Sequence, residues 1–231
     1  MPETYCFLIV MSYYLAIQNV NIHGGVVTKI NTTKCKASRR FGANLTEKAD
    51  DAYVKRNYPP GMHGRNGYKR SSVYGMQLRA KQMLKAYYCN ITEKQFRGIY
   101  KKAAKMSGDV GENLIGLLES RLDVIVYRSK YAPTMRAARQ LVSHKHVKVN
   151  GKYLNVGSAF LQPSDILELT PKALEMQIVQ GALSNETKVR PSYITFNGAD
   201  SSVTFIRKPL LAEVPYPMTV DPQLTIELYS R

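Results

Sequence analysis

The chain has 231 residues, and 44% of them are hydrophobic, a share typical of a globular protein with its own core. Its 33 Lys and Arg outnumber its 17 Asp and Glu, for a formal net charge of +16. The excess lies in residues 27–152, where 27 basic and 8 acidic side chains give +19, while residues 153–231 carry −2. Such a segment indicates a polyanionic partner. It does not indicate a membrane-surface protein, because no exposed amphipathic helix with a broad apolar face accompanies the charges.

The cysteines and histidines form no metal-binding pattern. Cys6, Cys35 and Cys89 include no C-x-x-C pair, so the sequence predicts neither a zinc site nor a disulfide framework and favours a reducing compartment. The four histidines form no ligand set with them. The sequence also contains no G-x-x-x-x-G-K-[ST], no dinucleotide glycine fingerprint and no H-E-x-x-H. We therefore expect no metal, no cofactor and no enzymatic activity.

The first 26 residues differ in character from the rest of the chain. An apolar run at residues 5–17 is shorter than the roughly 20 residues that span a bilayer. No Lys or Arg precedes Lys29, whereas a signal peptide begins with basic residues. Our interpretation is that residues 1–27 stand outside the fold and that translation starts at or near Val27. The alternative is a genuine extension or anchor.

A basic arm and an irregular loop come next. Residues 29–40 carry five Lys or Arg with little apolar periodicity, which is typical of a segment that becomes ordered on nucleic acid. Residues 58–65 contain two prolines and two glycines, which force a non-helical path. Basic residues flank this loop, so it can lie against RNA. The candidate contacts of the arm and the loop are Lys36, Arg39, Arg40, Arg56, Tyr58, His63, Arg65, Lys69 and Arg70.

Two helices are predicted after the loop. The first runs from Gly75 to about Tyr88, and the second begins after Thr92, which forms a capping box with Gln95. The inward-facing side chains are Leu78, Leu84, Tyr87, Tyr88, Phe96, Ile99, Tyr100 and Ala103. We interpret these aromatic residues as core rather than as base-stacking platforms, because they share the apolar stripe. The candidate RNA contacts on the opposite faces are Arg79, Lys81, Lys85, Arg97, Lys101 and Lys102.

Residues 112–143 are predicted to form two further helices. The first opens at Glu112 and keeps one apolar side as far as Val126. The second follows Pro133 and has Thr134 as its cap. Its apolar stripe consists of Ala138, Leu141 and Val142.

A hairpin is predicted after these helices. Val147–Val149 alternates like a strand, and Asn150-Gly151 is a two-residue turn signal, since both residues can adopt positive φ. A turn at residues 163–165 and a strand at 166–169 complete the unit. Its basic surface suits a phosphate backbone held in a fixed shape; the alternative is an ordinary solvated face. The candidate contacts are Arg121, Arg136, Arg139, His144, Lys145, Lys148, Asn150 and Lys152.

These segments resemble a known family. Residues 131–154 resemble the RNA-binding module first described in protein four of the bacterial small ribosomal subunit, a module that also occurs in pseudouridine synthases, tyrosyl-tRNA synthetases and heat-shock RNA-binding proteins. Residues 56–64 and 74–82 resemble the amino-terminal signature of the ribosomal family, which the enzymes lack. Residues 227–231 resemble its carboxyl terminus. The chain is thus identified as a member of the bacterial-type ribosomal protein four family over residues 28–231.

The resemblance implies an α+β fold. A helical amino-terminal domain, residues 28–111 with the basic arm, is completed by the carboxyl-terminal segment 171–231, which is expected to contain a helix at 172–183 and strands at 192–196, 202–206 and 224–229. A small α/β RNA-binding module, two helices plus a short antiparallel sheet, is inserted at 112–170. The zinc-binding cysteines of some family members are absent, because Cys35 stands alone.

The function implied is structural. Family members are primary assembly proteins that bind a multi-helix junction of small-subunit ribosomal RNA. The implied partners are that RNA, neighbouring small-subunit proteins, notably protein five, and messenger RNA where it enters the subunit, with an influence on translational accuracy. The implied location is the cytoplasmic ribosome of a bacterium rather than an organellar ribosome.

One motif favours a different class of protein. Residues 120–123 resemble the Arg-Leu-Asp motif that supplies the catalytic aspartate of pseudouridine synthases. Here the motif lies within the RNA-binding module, and the roughly 60 residues after the module are too few for a separate catalytic domain. We interpret Asp123 as a helix-surface carboxylate paired with a nearby basic residue. An RNA-modifying enzyme is the alternative function.

Overall fold

A computed structural model of the chain describes residues 36–47, 51–67, 70–185, 188–198 and 201–230. The helices of this part are α1 (Lys36–Phe41), α2 (Ala52–Lys55), α3 (Val73–Tyr87), α4 (Glu93–Ala103), α5 (Val110–Glu119), α6 (Leu122–Arg128), α7 (Met135–Ser143), α8 (Pro171–Leu174), α9 (Gln177–Leu183) and α10 (Pro222–Ser230). The strands are β1 (Val147–Val149), β2 (Lys152–Tyr153), β3 (Ile166–Leu169), β4 (Ile194–Asn197) and β5 (Ser202–Phe205). The expectations for residues 1–27, the arm before Lys36 and Lys69 lie outside the described residues.

Helices α3 and α4 begin close to where the sequence predicts. Ser72 Oγ accepts from the Gly75 amide at 3.2 Å, and Thr92 Oγ1 accepts from the Gln95 amide at 3.4 Å, so each cap satisfies an amide that has no helical partner. The predicted stripe faces the core, with Leu84, Tyr87, Tyr88, Phe96, Ile99 and Ala103 buried and Tyr100 half-buried. Leu78 is predicted to face inward but is only half-buried, and it lines a shallow cavity together with Phe41 of α1.

The single helix predicted from Glu112 is two helices. The chain breaks at residues 120–121, where Arg121 forms a β-bridge with Phe160. The loop at 157–161 supplies the hydrogen bonds that a continuous helix would have made, for example from the Leu122 amide to the Ala159 carbonyl at 2.8 Å. Both α5 and α6 are buried on nearly all sides, so their apolar pattern does not show where one ends and the next begins.

The helix and hairpin after Pro133 are confirmed. Thr134 Oγ1 accepts from the Ala137 amide at 3.2 Å and caps α7, and Ala138, Leu141 and Val142 are buried. At the turn between β1 and β2, Asn150 has φ 49° and Gly151 has φ 77°, as the two-residue turn requires. The module is therefore a short helix packed on α6 and followed by a tight hairpin.

One antiparallel sheet contains both the hairpin and strands of the tail. Its order is β2-β1-β3-β5-β4, with Leu167 of β3 opposite Val203 of β5. Alternate residues line the core face of the sheet, and the buried ones are Val147, Leu167, Leu169, Ile194, Val203 and Phe205. The tail thus extends the sheet of the module in addition to packing on the amino-terminal helices.

The last predicted strand, at residues 224–229, is wrong: this segment is helix α10, which packs on α3 and α5. Pro222 is its first residue, where the fixed φ of proline suits a helix, and Asp221 Oδ1 accepts from the Gln223 amide at 3.0 Å. The ring of Tyr229 stacks on Tyr100 with centroids 4.8 Å apart.

A buried polar cluster joins the amino-terminal helices, the module and the tail. Glu119 accepts hydrogen bonds from Tyr88 at 2.6 Å, from Tyr193 at 2.8 Å and from Arg128 at 3.0 and 3.1 Å. The Tyr216 hydroxyl lies 2.5 Å from that of Tyr88. Burial and the Glu119 carboxylate raise the pKa of Tyr88 well above its ordinary value, so this hydroxyl stays protonated as a donor. Arg128 neutralises the buried charge of Glu119, and the hydroxyls of Tyr88 and Tyr193 complete the hydrogen bonding of the carboxylate.

Candidate RNA-binding surface

The exposed face of α4 is strongly basic. Phe96 and Ile99 turn toward the core, so the opposite side of the helix meets solvent. Its exposed cations, with one just beyond the helix end, are Lys94, Arg97, Lys101, Lys102 and Lys105. Lys94 and Lys105 are not among the candidates predicted from the sequence, although helical spacing places them on this face. The Lys102 ammonium lies 4.9 Å from the centre of the Phe160 ring.

The proline-glycine loop is held by Arg39. The Arg39 guanidinium donates to the carbonyls of Tyr58 at 3.1 Å and Pro59 at 3.2 Å and covers the Tyr58 ring at 4.7 Å. Gly64 is required, because a Cβ there would lie 1.8 Å from the Pro59 carbonyl oxygen. The cations and imidazole exposed around the loop are Arg56, His63, Arg65 and Arg70, and Lys36 is exposed at the start of α1.

Two arginines border a shallow cavity of about 220 Å³ between α1 and α3. Arg40 donates to Gln82 Oε1 at 3.1 Å, and Arg79 donates to the Phe41 carbonyl at 3.0 Å. Arg79 is half-buried and Arg40 is exposed. The hydrogen bonds hold both guanidinium groups beside this cavity.

Lys81 and Lys85 are already paired within the protein. Glu93 binds Lys81 at 2.9 Å and Lys85 at 2.6 Å, and it accepts from the Tyr229 hydroxyl at 2.5 Å. Burial alone would raise the pKa of Glu93, but the hydrogen bonds from these three side chains outweigh it and lower the pKa to about 2. The single negative charge of Glu93 therefore offsets one of the two positive charges before any ligand binds.

The module presents a second basic surface. Arg136 and Arg139 are half-buried on α7, and His144 and Lys145 are exposed where that helix ends. In the hairpin, the Lys148 ammonium lies 4.9 Å from the centre of the Tyr153 ring. Lys152 is exposed beside it, and the His146 ring centroid lies 6.2 Å from that of His144.

Three predicted residues have other roles. Arg121 is only 1% exposed and makes bonds of 3.0 and 2.7 Å to Asp123, so it cannot contact RNA. Asp123, expected on the helix surface, is also 1% exposed, although its predicted basic partner is present. The side-chain amide of Asn150 donates to the Asp165 carboxylate at 2.8 Å, and its oxygen accepts from the backbone N–H of Ile166 at 2.9 Å. These bonds fix the hairpin turn. Sequence alone did not reveal that the Arg121–Asp123 pair is buried, because the covering loop at residues 157–161 lies further along the chain. It also did not reveal the partners of Asn150, which are about 15 residues away.

Burial raises the pKa of the Cys89 thiol to about 12, so this cysteine is unreactive. Within the described ranges, no group of three or more His, Cys, Asp or Glu side chains is placed to hold a metal ion. No helix in those ranges is both long enough and apolar enough to cross a membrane.

Comparison with known proteins agrees with this architecture. Residues 29–119 match the model described as the ribosomal protein S4/S9 N-terminal domain, and residues 120–167 match the S4 domain. The small ribosomal subunit protein uS4 of Pelagibacter ubique (strain HTCC1062) is 47% identical over 205 residues, 89% of this chain and 100% of that protein. The proteins of the same name from Rickettsia prowazekii (strain Madrid E) and Rickettsia felis (strain ATCC VR-1525 / URRWXCal2) show the same identity and coverage. The predicted resemblance is confirmed, and the chain belongs to the uS4 family of rRNA-binding small ribosomal subunit proteins.

Proposed function

We propose that this chain is a non-enzymatic structural constituent of the small ribosomal subunit that binds ribosomal RNA early in assembly. The observation that carries the proposal is the pair of basic surfaces, one on α4 and one on α7 with the hairpin. Both surfaces belong to elements that pack on the core through buried apolar side chains, so the backbone positions from which the charged side chains project are fixed. A fixed array of such positions suits the regular spacing of phosphates in folded RNA.

We propose that the contacts come from both surfaces and from the proline-glycine loop. Arg121 is excluded by its burial, and Asn150 acts through the shape of the hairpin. The proposed contacts are Lys36, Arg39, Arg40, Arg56, Tyr58, His63, Arg65, Lys69, Arg70, Arg79, Lys81, Lys85, Arg97, Lys101, Lys102, Arg136, Arg139, His144, Lys145, Lys148 and Lys152. Of these, Lys81 and Lys85 are paired with Glu93. When they contact RNA, they must either give up this ion pair or keep it beside the new contact.

A titration tests the proposal directly. The full chain is titrated with an in vitro transcript of small-subunit ribosomal RNA and with an unrelated structured transcript of equal length, at one salt concentration. We expect at least about a thousandfold preference for the ribosomal transcript, the lower end for specific nucleic-acid binding. Equal affinity for both transcripts would mean that the basic surfaces bind polyanions without selectivity.

The neighbours of the chain in the subunit, its effect on accuracy and its location are also proposals. Ribosomal protein five and messenger RNA near its point of entry are proposed neighbours, with an effect on translational accuracy, in the cytoplasmic ribosome of a bacterium. Family membership and the number of exposed cations support them. Cross-linking of purified small subunits followed by mass spectrometry tests them, because it identifies the proteins next to the chain. Recovery of the chain from organellar ribosomes alone would contradict the proposed location.

The alternative, a pseudouridine synthase, is not favoured. Its candidate catalytic carboxylate, Asp123, is buried and bound in a bidentate manner by Arg121. A carboxylate that is buried in this way cannot contact a uridine base of bound RNA. We expect no uridine isomerisation when the chain is incubated with ribosomal RNA.

A further inference from the structure

Helix α4 contains a glycine that the fold itself does not need. Gly98 lies in the middle of an 11-residue helix, where glycine lowers helix stability more than any residue except proline. A Cβ added at this position would meet no atom within 4 Å. Gly64, by contrast, has an internal reason, because a Cβ there would collide with the Pro59 carbonyl. No close internal contact among the described residues explains Gly98.

The surroundings of Gly98 are unusual in their charge. Residues three and four positions away are its neighbours on the helix surface. These are Lys94, Gln95, Lys101 and Lys102, and all four are exposed. Gly98 is therefore a bare stretch of helix backbone bordered by three ammonium groups and an amide.

We propose that Gly98 is a close-approach point for the sugar-phosphate backbone of bound RNA. The inference rests on the proposed function and adds the place where one RNA strand comes nearest to the protein. Without a side chain at position 98, the strand can lie against the helix while Lys94 and Lys101 reach phosphates on either side. Contacts of this kind fix the register of the protein on RNA rather than read its sequence. A side chain at this position would hold the strand away from the helix.

Helix α9 supplies a matched control. Gly181 also lies within a helix, and a Cβ there would likewise meet no atom within 4 Å. Its surface neighbours at three and four positions are Gln177, Ile178, Ser184 and Asn185, none of which is charged. A substitution at Gly181 therefore reproduces the effect on helix stability without touching a basic surface.

The test compares Gly98→Ala and Gly98→Gln with Gly181→Ala and Gly181→Gln in the full chain. Each variant is melted alone and is titrated with the in vitro transcript of small-subunit ribosomal RNA at fixed salt. Both alanine variants should melt roughly 2–4 °C higher than the parent, because alanine favours the helix. Gly98→Gln should weaken RNA binding about fivefold or more, a range that corresponds to overpacking of a close contact. Gly181→Gln should bind as the parent does.

Three results would overturn the inference: unchanged binding by Gly98→Gln, equal weakening by Gly181→Gln, or a lower melting temperature for Gly98→Ala. The last result would mean that the fold needs the glycine. If the parent chain itself fails to prefer the ribosomal transcript, the proposed function fails and the inference falls with it. If the parent binds and Gly98→Gln binds equally well, only the inference is lost.

Discussion

Arg121 and Asp123 form an ion pair inside the protein, with side chains about 1% and 2% exposed. Removal of one member of a buried pair leaves the other charge without compensation, which costs about 3–5 kcal/mol. We therefore predict that Asp123→Asn lowers the free energy of unfolding by an amount in this range, measured by urea denaturation. The control is Glu112→Gln, because Glu112 is an exposed carboxylate on the neighbouring helix. Equal stability of the two variants would show that the pair contributes nothing.

Arg136 and Arg139 lie one helical turn apart on α7, and each is half-buried. If each contacts a phosphate, the double substitution by glutamine should weaken RNA binding and reduce the slope of log affinity against log salt by about two. Glutamine keeps part of the aliphatic stem, so we expect each change to alter stability by less than about 0.5 kcal/mol. The charge-matched control is Lys172→Gln with Lys208→Gln, two exposed lysines outside the basic segment. Normal binding by the double arginine variant would leave recognition to α4 and the loop.

Leu141 lies on the same helix but faces the core, with 8% of its surface exposed. Its replacement by alanine leaves a cavity, and we expect a loss of about 2–5 kcal/mol in the free energy of unfolding. The folded fraction of this variant should bind RNA as the parent does, which a titration corrected for the unfolded fraction would establish. A loss of affinity beyond that correction would mean that α7 recognises RNA through more than its two arginines.

At the residue scale, helical spacing was sufficient to predict the solvent-facing side of α4 and the buried stripe of α7. It could not predict that Arg121 is buried. Its partner Asp123 is close in sequence, but the cover over the pair comes from residues 157–161, far along the chain. Periodicity describes one element at a time, whereas the burial of a charge depends on elements that are distant in sequence.

At the scale of elements, Glu93 connects α3, α4 and α10. Its pKa of about 2 lies below the ordinary value of 4.5, so its ionised form stabilises the folded chain above about pH 4.5, and this stabilisation is lost as the pH falls towards 2. The Glu93 side chain is 48% exposed, so solvent screening makes the stabilisation smaller than the lowered pKa alone would imply. We predict that the parent is more stable than Glu93→Gln near pH 6 and that this difference shrinks by about pH 3. Urea denaturation at both pH values measures it.

The control for this experiment is Glu175→Gln, since Glu175 is an exposed carboxylate far from the basic segment in sequence. Its difference from the parent should be small at both pH values. If the difference in the free energy of unfolding between the parent and Glu93→Gln does not change with pH, the role given to the Glu93 carboxylate is contradicted.

The end of the chain shows why one element was predicted wrongly. Leu224, Ile226 and Leu228 alternate as in a strand. In an apolar run this short, periodicity does not distinguish a strand from a helix. The helix is selected by its packing on α3 and by the hydrogen bond of 2.8 Å from Gln77 to Glu227. Both depend on residues about 150 positions away, which a local pattern does not contain.

At the scale of the whole molecule, the module and the tail share one sheet, and the Glu119 cluster ties them to the amino-terminal helices. We propose that residues 112–170 are an insertion into a domain formed by residues 28–111 and 171–231.

The sequence motifs were sufficient to predict the α+β class and the module. The pairing of β3 with β5 was not predicted, because register between strands about 35 residues apart is set by packing.

The central claim is that the basic segment binds ribosomal RNA through its phosphates. The most direct test is the affinity of the full chain for the small-subunit ribosomal RNA transcript, measured at several salt concentrations. If roughly six to ten phosphates are contacted, the affinity should fall about a thousandfold or more between 50 and 200 mM salt. An affinity that hardly changes over this range would contradict the account, because the charge of residues 27–152 would then be a solvated surface with no part in binding.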